Sequence, residues 1–173
     1  MQRQSWPRAW LMTDERMGDS LHAAIARSAA AGAGVIVRHH ASDRSTRREI
    51  AADVLAAGAV LGMSRDVALA EEVGAALVHN PATQTGRIPF SLAVHDEAQA
   101  RVAAARQPAF VIVSPLFDTR SHPGKPVLGE DEALRLAQMT NCPAYALGGI
   151  SQAQGRELMA RGWDGWAGID AWM

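Results

Sequence analysis

Three groups of residues have the types and spacing for chemistry on an anion. Leu147-Gly148-Gly149-Ile150, followed by Ser151, closes an apolar run and opens a helical stretch. Paired glycines let backbone N–H groups approach an anion closely, and a helix N-terminus beyond them adds positive dipole. The same residues could equally make a simple tight turn. Residues 114–125 form the longest polar loop and bring together Thr119, Arg120, Ser121, His122 and Lys125. Hydroxyls that donate hydrogen bonds, beside cations, suit an anionic substrate; a solvated surface loop is the alternative. Arg38-His39-His40 ends a third apolar run. Adjacent strand residues point to opposite faces, so Arg38 and His40 share one face and His39 takes the other. Histidines here read more simply as hydrogen-bonded structural groups than as metal ligands, because no motif such as HExxH is present. Cys142 precedes Pro143 at the start of an apolar run, on the opposite rim from the polar groups, which argues against a catalytic thiol.

The elements that must hold these groups alternate along the chain. Short apolar runs at residues 9–12, 35–37, 60–62, 76–78, 88–93, 110–113, 144–147 and 165–169 read as strands buried on both faces. Helical periodicity appears at residues 20–31, 46–57, 96–106, 131–139 and 153–161, with Asp19 or Ser20, Asp96 and Ser151 as candidate caps. Gly32, Gly58, Gly74 and Gly162 each stand just before a strand, where glycine can take the left-handed conformation that ends a helix. Eight strands in near-strict alternation with helices predict an α/β fold, a (β/α)8 TIM barrel, in preference to an open doubly wound sheet. The expected barrel is short. The helix after strand four is reduced, since few residues separate His79 from Ile88, and the helix after strand eight is missing. Residues 1–173 read as one domain. In such a barrel the site lies at the C-terminal strand ends, and the rim candidates are Thr13, Asp14, residues 38–40, residues 63–65, His79, Asn80, His95, residues 114–125, Gly148, Gly149 and Asp170.

Composition narrows the partners. A formal net charge of −1 provides no footprint for nucleic acid. A single cysteine cannot make an intramolecular disulfide. No apolar run approaches the roughly 20 residues that span a bilayer, and the first residues lack an apolar signal core. The expectation is a soluble cytoplasmic protein with small-molecule phosphate substrates. Trp163, Trp166 and Trp172 crowd the C-terminus. With no eighth helix to cover them they would line an apolar groove, and a second subunit or the N-terminal arm carrying Trp6 would cover it; a homodimer is expected.

Taken in order, Leu11-Met12-Thr13-Asp14, Val35-Ile36-Val37-Arg38, Val73-Gly74-Ala75, Val78-His79, Val94-His95, Ser114-Pro115-Leu116-Phe117 and Ala146-Leu147-Gly148-Gly149-Ile150 resemble the thiamine phosphate synthase and thiazole tautomerase family from Trp10 to about Asp170. The resemblance implies that hydroxymethylpyrimidine diphosphate loses pyrophosphate and that a thiazole phosphate nitrogen attacks the methylene carbon, giving thiamine phosphate. It implies a thiazole phosphate cradle at Gly148, Gly149 and the backbone of Gly168, Ile169 and Asp170. Thr119 and Ser121 match the hydroxyl pair of the strand-six loop, and Lys125 follows them. Arg38 matches the arginine of a Gln-x-Arg-x-Lys element. The implied cofactor is Mg²⁺.

This chain departs from that pattern. Ile36 and His40 stand at the Gln and Lys positions, and the strand-six loop lysine is His122. The Asn–Asp pair after strand three falls at about Met63 and Ser64, and residues 80–83 contain no carboxylate for the metal. Ala93 replaces a serine. The phosphate-cradle half is kept while the Mg²⁺–pyrophosphate half is largely lost. Arg38, His40 and His122 are left as catalytic candidates, the histidines substituting for lysines only where they are protonated. Three activities stay open: a diverged synthase, a tautomerase-like enzyme acting on a thiazole phosphate, and a non-catalytic binder of such a ligand. The histidine that tautomerase relatives use aligns with Pro115, so a tautomerase would need His122 in its place.

Overall fold

A computed structural model describes residues 5–119, 124 and 126–173. Eight parallel strands close into a barrel in sequence order, with β8 paired back onto β1. They are β1 (Ala9–Met12), β2 (Gly34–Val37), β3 (Leu61–Ser64), β4 (Leu77–His79), β5 (Phe90–Val94), β6 (Phe110–Val113), β7 (Ala144–Leu147) and β8 (Gly165–Gly168). Among the described residues six helices surround them: α1 (Leu21–Ala30), α2 (Arg44–Ala56), α3 (Val67–Glu72), α4 (Glu97–Arg106), α5 (Gly129–Met139) and α6 (Gln152–Ala160). Most strand residues are buried because helices cover the outer face and side-chain layers fill the inner one. The four predicted joints adopt left-handed φ values between 68° and 104°. The helix after β4 is absent: residues 80–89 make bends and turns.

Several boundaries differ from the sequence reading, and some bear on the site. β3, β4 and β5 each begin one or two residues later than expected and end later. Ser64, Arg65, His79 and Asn80 are thereby carried to the mouth. Helix α3, six residues long, was too short for periodicity to reveal; Asp66 caps it by accepting from Leu69 N. Asp96 and Ser151 cap α4 and α6 as predicted, but Ser20 makes no side-chain cap bond at α1.

Aromatic side chains plug the N-terminal end of the barrel. Trp6, Trp10 and Tyr145 pack around Phe110 in tilted and edge-on contacts, with centroid separations of 5.7 Å for Trp6–Phe110, 5.6 Å for Trp10–Phe110 and 4.7 Å for Phe110–Tyr145. β2 begins with glycine because a Cβ at Gly34 would sit 2.3 Å from the Trp10 ring. The expected apolar groove is not there. Trp163, Trp166 and Trp172 are all buried within the chain. After β8 the chain makes a 3-10 turn, Asp170–Trp172, that folds Trp172 flat onto Trp166, with centroids 5.3 Å apart and an interplanar angle of 5°. Arg27 of α1 grips the Trp172 carbonyl through Nε at 2.8 Å and Nη2 at 2.6 Å, and Trp172 Nε1 donates to the Trp10 carbonyl. A short turn thus does the covering expected of an outer helix, and the argument for a homodimer from exposed tryptophans falls with the groove.

Candidate active site

With its N-terminal end plugged, the barrel opens at the C-terminal strand ends into a cavity of about 930 Å³. One wall is built by β7, β8 and the loop after β6, the other by β2 to β5.

The first wall brings together the residues expected to form the cradle. Gly148, Gly149, Gly168, Ile169 and Asp170 all line the cavity, as do Ser151 and Thr119. Gly148 and Gly149 have φ of 114° and 62°, so neither position accepts an L side chain without strain. Space forbids one as well. A Cβ on Gly148 would lie 2.8 Å from Pro115 Cα, and one on Gly149 would lie 2.3 Å from the Asp118 carbonyl oxygen. The paired glycines therefore also seat the β6 loop against the β7 loop. Ser151 accepts from Gln154 N, while the Gln154 side chain accepts from Ser151 N, a reciprocal box that fixes the start of α6. Asp170 lies 3.9 Å from Arg16. Ser121, His122 and Lys125 lie outside the described residues.

On the second wall the predicted alternation holds. Arg38 and His40 line the cavity; His39 points away and is buried, with Nδ1 2.9 Å from Thr13 Oγ1. Thr13 Oγ1 also accepts from Arg38 N at 2.9 Å, which fixes the end of β2. Asp14 accepts from Arg16 N and Nε and stands 3.7 Å from Arg38 Nη2. Burial would raise the Asp14 pKa, but hydrogen bonds from Arg16 and the charges of Arg16 and Arg38 hold it below the usual carboxylate value. Burial pushes His40 down, and the guanidinium groups of Arg65, Arg38 and Arg47 push it further. His40 is therefore not a ready-made cation in the free protein, contrary to its expected role as a lysine substitute. His79 is buried, with Nδ1 2.9 Å from Ser91 Oγ, and its pKa falls to about 3, first through burial and then through Arg38, His40, His95 and Arg65.

Arg65, Asn80 and His95 were rim candidates only, and all three line the cavity. The sequence placed all three at the rim without assigning any of them a role. His95 Nδ1 lies 2.8 Å from the Ser114 carbonyl oxygen. A carbonyl only accepts, so Nδ1 carries the hydrogen and Nε2 is the accepting nitrogen of the neutral ring.

The donor set does not fit Mg²⁺. That ion needs hard oxygen ligands, ordinarily including carboxylates. The carboxylates that line the cavity, Asp118 and Asp170, are on the opposite wall, and Asp14, which follows β1, is already shared by Arg16 and Arg38. Among the described residues no three His, Cys, Asp or Glu side chains converge on one point.

A family model described as thiamine monophosphate synthase matches residues 9–172. The chain belongs to this family. Thiamine monophosphate synthase relatives among curated proteins include the putative thiamine-phosphate synthase 2 of Aquifex aeolicus (strain VF5), 32% identical over 79 residues, covering 46% of this chain and 42% of that protein. The thiamine-phosphate synthase of Acidithiobacillus ferrooxidans (strain ATCC 53993 / BNL-5-31) is 32% identical over 123 residues, covering 65% and 57%. The chain thus aligns with about half the length of these relatives. A solved thiamine phosphate pyrophosphorylase from Pyrococcus furiosus superposes with a TM-score of 0.74 at 18% identity, over 95% of this chain and 86% of that one. FabK from Thermotoga maritima, as its M276A mutant, also gives 0.74, at 17% identity over 97% and 62%. At these identities the structural likenesses concern the fold alone. No helix among the described residues is long and apolar enough to cross a membrane.

Proposed function

We propose that this family member acts as a thiamine phosphate synthase-like transferase, joining hydroxymethylpyrimidine diphosphate to a thiazole phosphate. The C–O bond to pyrophosphate breaks with its electron pair on the leaving group. The thiazole nitrogen lone pair then forms the C–N bond to the methylene carbon, and thiamine phosphate and pyrophosphate result. One observation carries this reading: the Gly148-Gly149 turn and capped α6 N-terminus face a guanidinium-bearing wall across a single cavity of about 930 Å³, at the large end of small-molecule sites. Two anionic ends therefore have opposite seats, with reacting atoms held between them. Thr119 lines the cavity, and Ser121, His122 and Lys125, which lie outside the described residues, remain proposed substrate contacts. Because the Mg²⁺ ligand set is lost, turnover should be weak and nearly indifferent to Mg²⁺; losing one charge-stabilising donor commonly costs about 10²–10³ in rate. Thiamine phosphate formation is to be assayed with purified substrates across Mg²⁺ concentration and pH, alongside titration with thiazole phosphate. Robust turnover that collapses on chelation would contradict the metal-site reading, and failure to bind thiazole phosphate would overturn the cradle.

A second reading, proton transfer on a bound thiazole phosphate, has its own observation. His95 is locked in one tautomer by the Ser114 carbonyl at the end of β6, where Pro115 stands in place of the tautomerase histidine. Its Nε2 is then available as the base. Under this reading His95→Asn abolishes tautomerisation but leaves thiazole phosphate affinity within threefold. Full activity in that variant would leave only the synthase and the binder.

A further inference from the structure

The floor of the cavity is apolar on one side. Beneath the proposed cradle, the strand residues that reach the cavity from β1, β6 and β7 are Met12, Ile112 and Leu147, and β8 contributes Gly168, which has no side chain. None of these offers a side-chain N–H, O–H or oxygen. Across the barrel the floor is polar: Ser64 and His79 close β3 and β4, and Arg38 follows β2. The main chain at the end of β7 is engaged as well. The Leu147 carbonyl accepts from Leu116 N at 2.9 Å, and the Gly148 carbonyl accepts from Phe117 N at 3.2 Å.

The residues that flank the cradle are apolar too. Leu147 precedes Gly148, Ile150 follows Gly149 and Ile169 follows Gly168, and all three side chains belong to residues that line the cavity. Met12, Ile112, Ile150 and Ile169 are buried, while Leu147 keeps part of its surface open. At the outer edge Val127 lines the same cavity and is 43% exposed. Its neighbour Leu128 is pinned to the β6 loop, because Leu128 N donates to the Pro115 carbonyl at 2.9 Å. A lone exposed valine means little. Here it stands with a half-open leucine on one wall of a cavity whose other wall is charged, the arrangement of a seat for an amphiphilic ligand. The polar side chains of the apolar wall, Asp118, Thr119, Ser151 and Asp170, all lie beyond the strand ends.

A ring joined to a phosphate by a short alkyl link falls on this floor when the phosphate sits at Gly148 and Gly149. Among the described residues the floor offers a polar ring edge no side-chain partner, and a polar group buried without one loses its water for nothing. An apolar ring gains the burial without that cost. We infer that the seat beside the cradle reads apolar bulk rather than ring heteroatoms, so that the protein binds phosphate monoesters of apolar aryl-alkyl alcohols as a class, carbocyclic rings as well as thiazoles. This seat is placed relative to the proposed cradle and so rests on that reading. It also suits the proposed bond formation: a ring nitrogen that attacks carbon needs its lone pair unengaged, and a floor without donors leaves it so.

The test is calorimetric titration of the full chain with inorganic phosphate, hydroxyethyl phosphate, phenylethyl phosphate and thiazole phosphate. Phenylethyl phosphate should bind within about threefold of thiazole phosphate and at least about tenfold more tightly than inorganic phosphate, while hydroxyethyl phosphate gains nothing over inorganic phosphate. Leu147→Asn keeps the side chain's size and adds an amide. It should weaken phenylethyl phosphate at least about tenfold and inorganic phosphate less than about threefold. Ile169→Thr should act in the same direction, and it carries the test if Leu147→Asn no longer unfolds cooperatively. Thiazole phosphate binding tightly while phenylethyl phosphate binds no better than inorganic phosphate overturns the inference and leaves the cradle standing. Equal loss of phenylethyl and inorganic phosphate in the variants overturns it too. Failure of all four ligands to bind overturns the cradle and the seat together.

Discussion

His79 should make the barrel sensitive to acid well above the range in which carboxylates titrate. In the unfolded chain its imidazole takes up a proton as pH falls through about 6.5. In the folded chain it is buried against Ser91, near Arg38 and Arg65, and protonates only at about 3. Between those values the unfolded state binds the extra proton, so stability falls as pH falls. From pH 7.5 to 5.0 the loss from this one group is about 2 kcal/mol, since one pKa unit is worth about 1.4 kcal/mol. Because that window closes two units above the folded value, the unfolded imidazole alone sets the loss. Two kilocalories is a large share of a domain's usual stability of about 5–15 kcal/mol, and it moves a urea midpoint by roughly 1 M. His39 and His40 are also pushed down by burial, so the wild-type loss exceeds the His79 share. His79→Gln isolates it: urea unfolding at pH 7.5, 6.5, 5.5 and 5.0 should show a shallower decline in the variant by about 2 kcal/mol over the range. Parallel declines in the two proteins would refute the reasoning. So would a His79 ring resonance that titrates near pH 6.5 in the folded protein.

Three further outcomes follow from the packing and the cradle. Gly155→Ala, which in an ordinary helix interior would gain about 1 kcal/mol, should here lose about 1–3 kcal/mol, because the new Cβ would lie 2.5 Å from the Trp166 indole; a stabilised variant by urea unfolding would refute this. Trp172→Ala should cost about 3–5 kcal/mol in the same assay, and a loss under about 1 kcal/mol would show that the stacked pair does not close the β8 flank. Ser151→Asp keeps a capping side chain but places a carboxylate beside the cradle, so thiazole phosphate affinity should fall by about tenfold with the melting temperature unchanged; undiminished affinity would place the phosphate elsewhere.

The barrel was legible because its signals are local. Apolar runs bounded by left-handed glycines require only neighbouring residues to be seen, and the period-2 parity that put Arg38 and His40 together follows from strand geometry alone. What escaped depends on residues distant in sequence. Trp172 is buried because Trp166, Arg27 and the Trp10 carbonyl receive it, and no periodicity announces the turn that seats it. Helix α3 offers fewer than two turns, too few for a repeat to register. Asp14 reads only as a rim candidate until the fold brings Arg38 alongside. Gly148 and Gly149 are legible as an anion turn, yet their second task, admitting Pro115 and Asp118, needs the β6 loop in place.

The altered residues on the β2–β5 wall make sense as one change rather than several. A carboxylate-held metal and a guanidinium both neutralise a diphosphate, and the pattern that Arg38 matches uses the two together. Here the carboxylate beside Arg38, Asp14, is engaged by Arg16 and Arg38. Conversely, carboxylates left without a metal would repel the diphosphate. Residues 80–83 lack an acid, and Arg65 at the end of β3 has a left-handed backbone that two main-chain bonds hold. Asn80 fits the same logic, because its oxygen is turned to Ala93 N and its amide hydrogens remain to donate. His40 is the weak member. Burial and the guanidinium groups of Arg65, Arg38 and Arg47 lower its pKa, so under the proposed synthase reading the charge facing the diphosphate rests chiefly on the arginines.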